Sequence, residues 1–219
     1  MRIYLQLSAN REIVPFNYQQ SLVGAFHKWL GENELHDDIS LYSLSWLSKG
    51  IPKKGGLDFP NGTTFYISSP MEDLHQKAVS GIFKDQHIRW GMHVKEVILK
   101  VTPDFGERQQ FKAQSPILIK RQLADEKYHR YFFPDHELAD TYLTETLQHK
   151  LQRFQFPTDV QVRFDRDYPK PIIKKNAFHH IDIKATLCPV IVEGHPRAVQ
   201  FAWEVGVGNS TGIGFGALV

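Results

Sequence analysis

The hydrophobic pattern of this 219-residue chain constrains its fold most, because one order of strands and helices occurs twice. In the first half, alternating and helical apolar patterns follow each other as strand, helix, strand, strand, helix and strand. The strands are predicted at residues 2–8, 39–47, 63–69 and 91–101, and the helices at 17–30 and 70–83. Asn17 is the expected cap of the first helix, and Pro70 the expected first residue of the second. This order is typical of a ferredoxin-like unit.

The second half repeats the order. Strands are predicted at residues 111–122, 160–164, 178–192 and 215–219, and helices at 135–154 and 196–205. We therefore expect an α+β fold of two tandem ferredoxin-like domains, at residues 1–105 and 106–219. The joint is expected at residues 102–107, where Pro103 and Gly106 interrupt the pattern.

Composition narrows the class of protein. Cys188 is the only cysteine, which excludes an intrachain disulfide and a cysteine-based zinc site and fits a reducing cytoplasm. No apolar run reaches the ~18–20 residues that span a bilayer, and residues 1–10 lack the apolar core of a secretory signal. A cytoplasmic protein without membrane contact is expected. The net charge of +2 is weak evidence for an anionic partner.

Residues 206–216 are the densest motif, since five of these eleven residues are glycine. The loop lacks the lysine that ends a P-loop, and it does not join a strand to a helix as a dinucleotide-binding loop does. Glycine amides uncovered by side chains can donate to phosphates, although a flexible tail is the alternative. The residues predicted to contact phosphate are Gly206, Gly208, Asn209, Ser210, Thr211, Gly212, Gly214 and Gly216.

Together with three shorter motifs, this loop resembles a known family. The other motifs are Val-Pro-Phe-Asn-Tyr-Gln at residues 14–19, Tyr-Ser-Leu at 42–44 and Ser-Pro-Ile at 115–117. The chain is similar to the CRISPR-associated repeat-processing endoribonucleases of the repeat-associated mysterious protein (RAMP) superfamily, which have paired ferredoxin-like domains.

The resemblance implies an endoribonuclease that cuts CRISPR repeat RNA without a metal and without a cofactor. In that family the 2′-hydroxyl beside the scissile phosphate attacks it, which leaves a 2′,3′-cyclic phosphate and a 5′-hydroxyl. The implied partners are the repeat RNA and CRISPR effector proteins that receive the guide RNA. We expect a monomer or a weak homodimer.

Two histidines lie where the family places its catalytic residues, on the first helix or just after it. His27 is in the last helical turn, where the helix dipole favours its protonated form, and His36 is in the following loop. They are predicted to act as the base and acid, with the assignment between them open. Each has a plainer interpretation, His27 as a packing residue and His36 as a solvated one. A metal site of His27, His36 and Asp37 matches no compact ligand motif. Asp38 stands where some relatives use a lysine, so the charge-stabilising residue stays open.

Basic residues supply the predicted contacts to RNA phosphates, although several also fit solvated loops or a hairpin tip. They are Lys28, Lys53, Lys54, Arg121, Arg163, Arg166, Lys170, Lys174 and Lys175. Neighbouring His179 and His180 are expected on opposite faces of a strand, with no chemistry assigned.

Other functions fit the same pattern. A non-catalytic RNA-binding subunit of a CRISPR effector complex would use the same fold without needing the histidines. An RNA-recognition module would stack bases on its sheet, but its sequence motifs are absent. No motif favours a metabolic enzyme that binds a nucleotide.

Overall fold

The computed structural model describes residues 1–32, 39–123, 128–179 and 181–219. The first unit consists of β1 (Arg2–Leu7), β2 (Val14–Pro15), α1 (Gln19–Leu30), β3 (Ser43–Leu44), β4 (Ile51–Lys53), β5 (Gly56–Asp58), β6 (Thr63–Ser68), α2 (Glu72–Lys84) and β7 (Val94–Lys100). Its main sheet is antiparallel, in the order β3-β6-β1-β7. Leu5 of the central strand β1 is opposite Phe65 on one side and Val97 on the other. This is the predicted ferredoxin-like order.

Both helices of this unit begin later than predicted. The N-cap of α1 is Tyr18, and no side chain caps the helix. The Asn17 side chain instead accepts a hydrogen bond from the Ala177 amide at 3.4 Å, so it holds a distant segment. Pro70 precedes Met71, which is the N-cap of α2. In both cases the prediction of the helix was right and the prediction of its first residue was wrong.

The predicted strand at residues 39–47 is reduced to β3, because serine side chains replace part of the ladder. The Ser45 hydroxyl accepts from the Tyr66 amide at 2.8 Å, and the Thr63 hydroxyl donates to the Ser48 carbonyl at 2.6 Å. Such bonds compete with regular strand pairing. A separate small sheet, β2-β5-β4, was not predicted as a sheet, although the turn at Lys54 and Gly55 was.

The second unit consists of β8 (Arg108–Phe111), β9 (Lys120–Arg121), β10 (Arg130–Tyr131), α3 (Ala139–Arg153), β11 (Val160–Phe164), β12 (Ile172–Phe178), β13 (Ile181–Leu187), β14 (Val190–Gly194), α4 (Pro196–Val205) and a 3-10 turn, Thr211–Ile213. Its sheet has the order β11-β14-β8, and a bridge between Ala113 and Leu218 stands in for the fourth strand. The predicted boundary between the domains, at residues 105 and 106, stays a prediction.

Three predicted strands of this unit were wrong. The strand predicted at 111–122 is not continuous, because β8 ends at Phe111, β9 begins at Lys120, and only isolated bridges at Ala113 and Ile117 lie between them. The strand predicted at 178–192 is two strands, β13 and β14, and β12 with β13 forms a hairpin that the sequence analysis missed. The strand predicted at 215–219 shrinks to the bridge at Leu218, because Gly216 has a φ of 63° and its amide donates to the Pro116 carbonyl. By contrast, β11 and α4 have the predicted bounds.

Arg2 joins the two units. Its side chain is 0% exposed and its Nη2 donates to the carbonyls of Trp203 at 2.7 Å and Leu218 at 2.9 Å. The guanidinium carbon lies 3.8 Å from the Tyr66 ring centroid and 3.5 Å from that of Trp203. Among the described residues no carboxylate lies within ion-pair distance of it. Two aromatic faces and two carbonyls therefore take the place of a counter-ion.

Candidate nucleic-acid interface

Three parts of the chain meet at the first turn of α1: the helix itself, the glycine-rich loop and the turn of the β12–β13 hairpin. The glycine-rich loop 206–216 reaches it at Gly214, whose carbonyl accepts from the Trp46 indole at 2.6 Å and which lies next to Gln19. The turn of the β12–β13 hairpin reaches it at His179, whose Nδ1 is 3.2 Å from the Gln20 amide nitrogen. The start of helix α1 is thus in contact with both the loop and the hairpin turn.

The glycine content of loop 206–216 has a conformational cause. Four of its five glycines have positive φ: Gly206, Gly208, Gly214 and Gly216, at 72°, 76°, 92° and 63°. A Cβ on Gly216 would be 1.9 Å from the Val207 carbonyl oxygen, and one on Gly212 would be 2.5 Å from the Ser40 hydroxyl. No other residue fits these positions without displacing backbone or the neighbouring unit.

This packing corrects the prediction that the loop amides are open to phosphate. All five glycines are buried. Six loop amides already donate to protein carbonyls, those of residues 206, 207, 209, 213, 214 and 216. Thr211 is also 0% exposed, and its hydroxyl donates to the Tyr42 carbonyl at 2.8 Å. The loop is chiefly an inter-unit packing element, and its accessible part is Asn209, Ser210 and Ile213, which are half-buried.

A pocket of about 480 Å³ opens beside Asn209 and Ser210. Arg121 lines it, but its guanidinium is already engaged by the Thr146 hydroxyl at 2.8 Å and the Tyr142 carbonyl at 3.0 Å. The Asn209 side-chain oxygen accepts from the Lys120 amide at 2.9 Å. Arg121 and Asn209 therefore fix β9 and α3 to the loop, a structural role that the prediction of phosphate contact did not include.

Lys150 is a buried cation below the same pocket. It is 2% exposed, and its Nζ donates to the Thr211 hydroxyl at 2.9 Å. Burial lowers the pKa of Lys150 from 10.5 to about 7, because the charged form loses hydration. This residue was not predicted from the sequence, because a lysine in the last turn of a helix ordinarily faces solvent.

His27 is half-buried in the last turn of α1, where its ring packs edge-to-face on Phe26 with centroids 5.3 Å apart. Gln20 and His27 are seven positions apart on α1, about 10 Å along the axis, so the helix spans the distance between the hairpin turn and His27. The prediction for His36 lies outside the described residues. So do the predictions for Asp37 and Asp38.

Lys28 is bonded to the segment that follows α2. Its Nζ contacts Asp85 Oδ2 at 2.8 Å and donates to the His87 carbonyl at 2.5 Å. Lys28 and His87 hold the pKa of the exposed Asp85 carboxyl well below its usual range. The ammonium is therefore neutralised on the α2 side, which argues against the predicted contact with phosphate. Lys53 and Lys54 are exposed at the β4–β5 turn.

In the basic stretch of the second unit, some residues lie beside a carboxylate and others do not. Arg163 lies 3.6 Å from Glu193, Arg166 pairs with Asp140, and Lys175 pairs with Asp182 at 2.7 Å. Lys170 and Lys174 are exposed and make no ion pair with any residue that the structure describes. Lys184, opposite Lys175 on the hairpin, adds an exposed cation that the sequence analysis missed.

His179 does not lie on a strand as predicted. His179 is in the hairpin turn with a φ of 47°, and His180 lies outside the described residues. Tight hairpin turns are usually recognised in a sequence by a glycine or asparagine at positive φ. Here a histidine takes that conformation, so the turn was not predicted. The contact with Gln20 makes His179 an additional candidate beside α1.

The described residues contain neither a cluster of metal ligands nor a membrane-spanning helix. Within 1–32, 39–123, 128–179 and 181–219, no three histidine, cysteine or carboxylate side chains are grouped to hold a metal ion. None of the helices in those ranges is both long and apolar enough to cross a membrane.

A family comparison gives the decisive match. The model described as "CRISPR associated protein Cas6, C-terminal" matches residues 99–219, more than half of the chain. The chain belongs to the Cas6 family. The resemblance inferred from the glycine-rich loop and the shorter motifs is therefore confirmed.

Relatives of this Cas6 family member align along its whole length. The CRISPR-associated endoribonuclease Cas6 1 of Methanocaldococcus jannaschii is 25% identical over 241 aligned residues, which cover 100% of this chain and 92% of the relative. A structure of a Cas6-related gene product from Pyrococcus furiosus has a TM-score of 0.87 at 21% identity, covering 100% and 97%. One described as an RAMP protein binding different RNA substrates has 0.86 at 20%, covering 100% and 98%. These structures confirm the tandem ferredoxin-like fold.

Proposed function

We propose that this Cas6 family member is a metal-independent endoribonuclease that cuts CRISPR repeat RNA into guide RNAs. The M. jannaschii relative, named as an endoribonuclease, supports the class of reaction. One observation carries the proposal: His27 lies on the same helix, α1, whose first turn is next to the glycine-rich loop at Gly214 and bonded to the hairpin turn at His179. The closeness of both elements to α1 supports the proposal that His27 transfers a proton to or from RNA bound there.

The chemistry requires one proton to leave and one to arrive. A base removes the proton from the 2′-hydroxyl, whose oxygen forms a bond to phosphorus. The bond from phosphorus to the 5′ oxygen breaks, and an acid protonates that oxygen. We assign the pair to His27 and His36, since each imidazole can hold or release a proton near neutral pH. The product is a 2′,3′-cyclic phosphate and a 5′-hydroxyl.

RNA binding is proposed along the exposed cations and the accessible part of the loop. The hairpin offers Lys174 and Lys184, and Lys170 lies just before it; the three have no ion-pair partner among the described residues. Lys53 and Lys54 lie in the small sheet whose strand β2 leads into α1, and Asn209 and Ser210 mark the loop. Arg163, Arg166 and Lys175 contribute less, because each has a carboxylate neighbour.

The deciding experiment uses a repeat RNA from the genome that encodes the protein, in EDTA. We expect one cut per repeat and product ends carrying the cyclic phosphate and the 5′-hydroxyl. A matched RNA with a single 2′-deoxy nucleotide at the cut site should bind equally and stay intact. Tight binding with no cleavage of either RNA would instead support the non-catalytic subunit of an effector complex. Cleavage of the deoxy RNA at the same site would contradict the proposed attack.

A further inference from the structure

Strand β7 is an uncovered edge of the first sheet. It pairs with β1 alone among the strands. On its outer side the Val94 amide donates to the Gln86 carbonyl, and beyond Val94 no described segment pairs with it. Apolar side chains follow this edge: Ile98 is 45% exposed, Leu99 59% and Val101 81%. Open edges with apolar side chains are templates for further strand pairing.

The sequence of β7 is complementary to itself in one antiparallel register. With Ile98 opposite Ile98 of a second copy, Glu96 falls opposite Lys100, and by symmetry this ion pair forms twice. Val97 falls opposite Leu99, also twice. If the two-fold axis were between Val97 and Ile98 instead of at Ile98, Lys95 would lie opposite Lys100, and like charges would face each other.

The same register also matches the two faces of the sheet. Gln6 and Tyr4 of β1 are opposite Glu96 and Ile98, whereas Leu5 is opposite Val97. Glu96, Ile98 and Lys100 therefore share the face of β7 that carries Tyr4, and Val97 and Leu99 share the face of the buried Leu5. Each pair in the register thus joins side chains on one face, as a continuous sheet requires.

We propose that β7 pairs with β7 of a second copy of this chain, with Ile98 at the two-fold axis, so that the two first sheets become one. Charge complementarity argues for a second copy: Glu96 and Lys100 have no ion-pair partner among the described residues, and in this register each lies opposite the other. A single strand pair buries little area, so the dimer is weak and depends on protein concentration.

Charge exchange tests the pairing. Glu96→Lys alone and Lys100→Glu alone place like charges opposite each other, and each should raise the dimer dissociation constant at least about tenfold in sedimentation velocity without RNA. The double variant restores opposite charges, and its dissociation constant should return to about that of the wild type. Both residues are exposed, so melting temperatures should be unchanged. A wild-type monomer at all concentrations, or single variants that dimerise like the wild type, would overturn the proposal.

A cysteine pair fixes the register independently. Ile98→Cys should form an intermolecular disulfide under mild oxidation, because the two side chains face each other at the axis. Glu96→Cys is the matched control, since its two introduced sulfurs would be offset by four residues, about 13 Å, and should not cross-link. The native Cys188 is buried and gives no background. Equal cross-linking of both variants would contradict the register.

Discussion

Replacing Arg2 by methionine removes the charge that joins the two units while keeping a side chain of similar length. Two hydrogen bonds from a charged donor are lost, at about 1.5–3 kcal/mol each, and the carbonyls of Trp203 and Leu218 are left buried without that donor. The contacts with the Tyr66 and Trp203 rings contribute up to about 2 kcal/mol more. Relief from burying an unpaired guanidinium offsets part of this loss. We expect a net loss of about 2–4 kcal/mol in the free energy of unfolding.

Urea denaturation followed by tryptophan fluorescence and by circular dichroism measures this loss, because Trp203 lies at the joint. The structure predicts a lower midpoint for Arg2→Met and a transition that separates into two, as the units lose their coupling. Arg2→Lys should lie between, since one ammonium cannot repeat the planar contact with both rings. The exposed Arg89→Met is the matched control. An Arg2→Met stability within about 0.5 kcal/mol of the control would refute the role assigned to Arg2.

Three further predictions concern the loop, the buried lysine and the hairpin. Gly216→Ala should destabilise the protein by at least about 1–3 kcal/mol, because residue 216 has a positive φ and its new Cβ would overlap a carbonyl oxygen. The control is Gly24→Ala, which should not destabilise the protein because position 24 of α1 faces open space. Equal melting temperatures of the two variants would contradict this prediction. Between about pH 7 and pH 10.5, Lys150 binds fewer protons in the folded protein than in the unfolded protein, so the free energy of unfolding should rise with pH in that window. Urea titrations at pH 7 and 9 should show a smaller rise for Lys150→Met than for the wild type. Lys174→Gln should weaken RNA binding and lower the salt slope by about one unit; an unchanged slope would remove Lys174 from the interface.

The sequence predicted best the elements whose hydrophobic pattern is regular. Strand β11 and helix α4 have the predicted bounds because their apolar spacing is uninterrupted and Pro196 marks the helix start. Strand β3 was overestimated because hydroxyl groups replace backbone partners there, which the apolar pattern does not record. The β12–β13 hairpin was missed because its turn uses His179 at positive φ where glycine or asparagine would have signalled it.

The roles of individual residues were harder to predict, because they depend on contacts distant in sequence. Glycine density fits both an exposed anion-binding loop and a tightly packed one, and only the contacts with Val207 and Ser40 distinguish the two. Arg2 occupies a polar position of an alternating strand, which suggests solvent, yet the second unit covers it completely. His27, in contrast, was correctly placed in the last turn of α1 from the helical pattern alone.

The single-turnover cleavage rate of His27→Ala on a repeat RNA shows whether His27 takes part in the reaction. We expect a rate about 10²–10⁴-fold below wild type, with RNA affinity and melting temperature retained. The exposed His129→Ala in the second unit should cleave at the wild-type rate. A His27→Ala protein that folds, binds and cleaves at the wild-type rate would contradict the placement of the chemistry on α1.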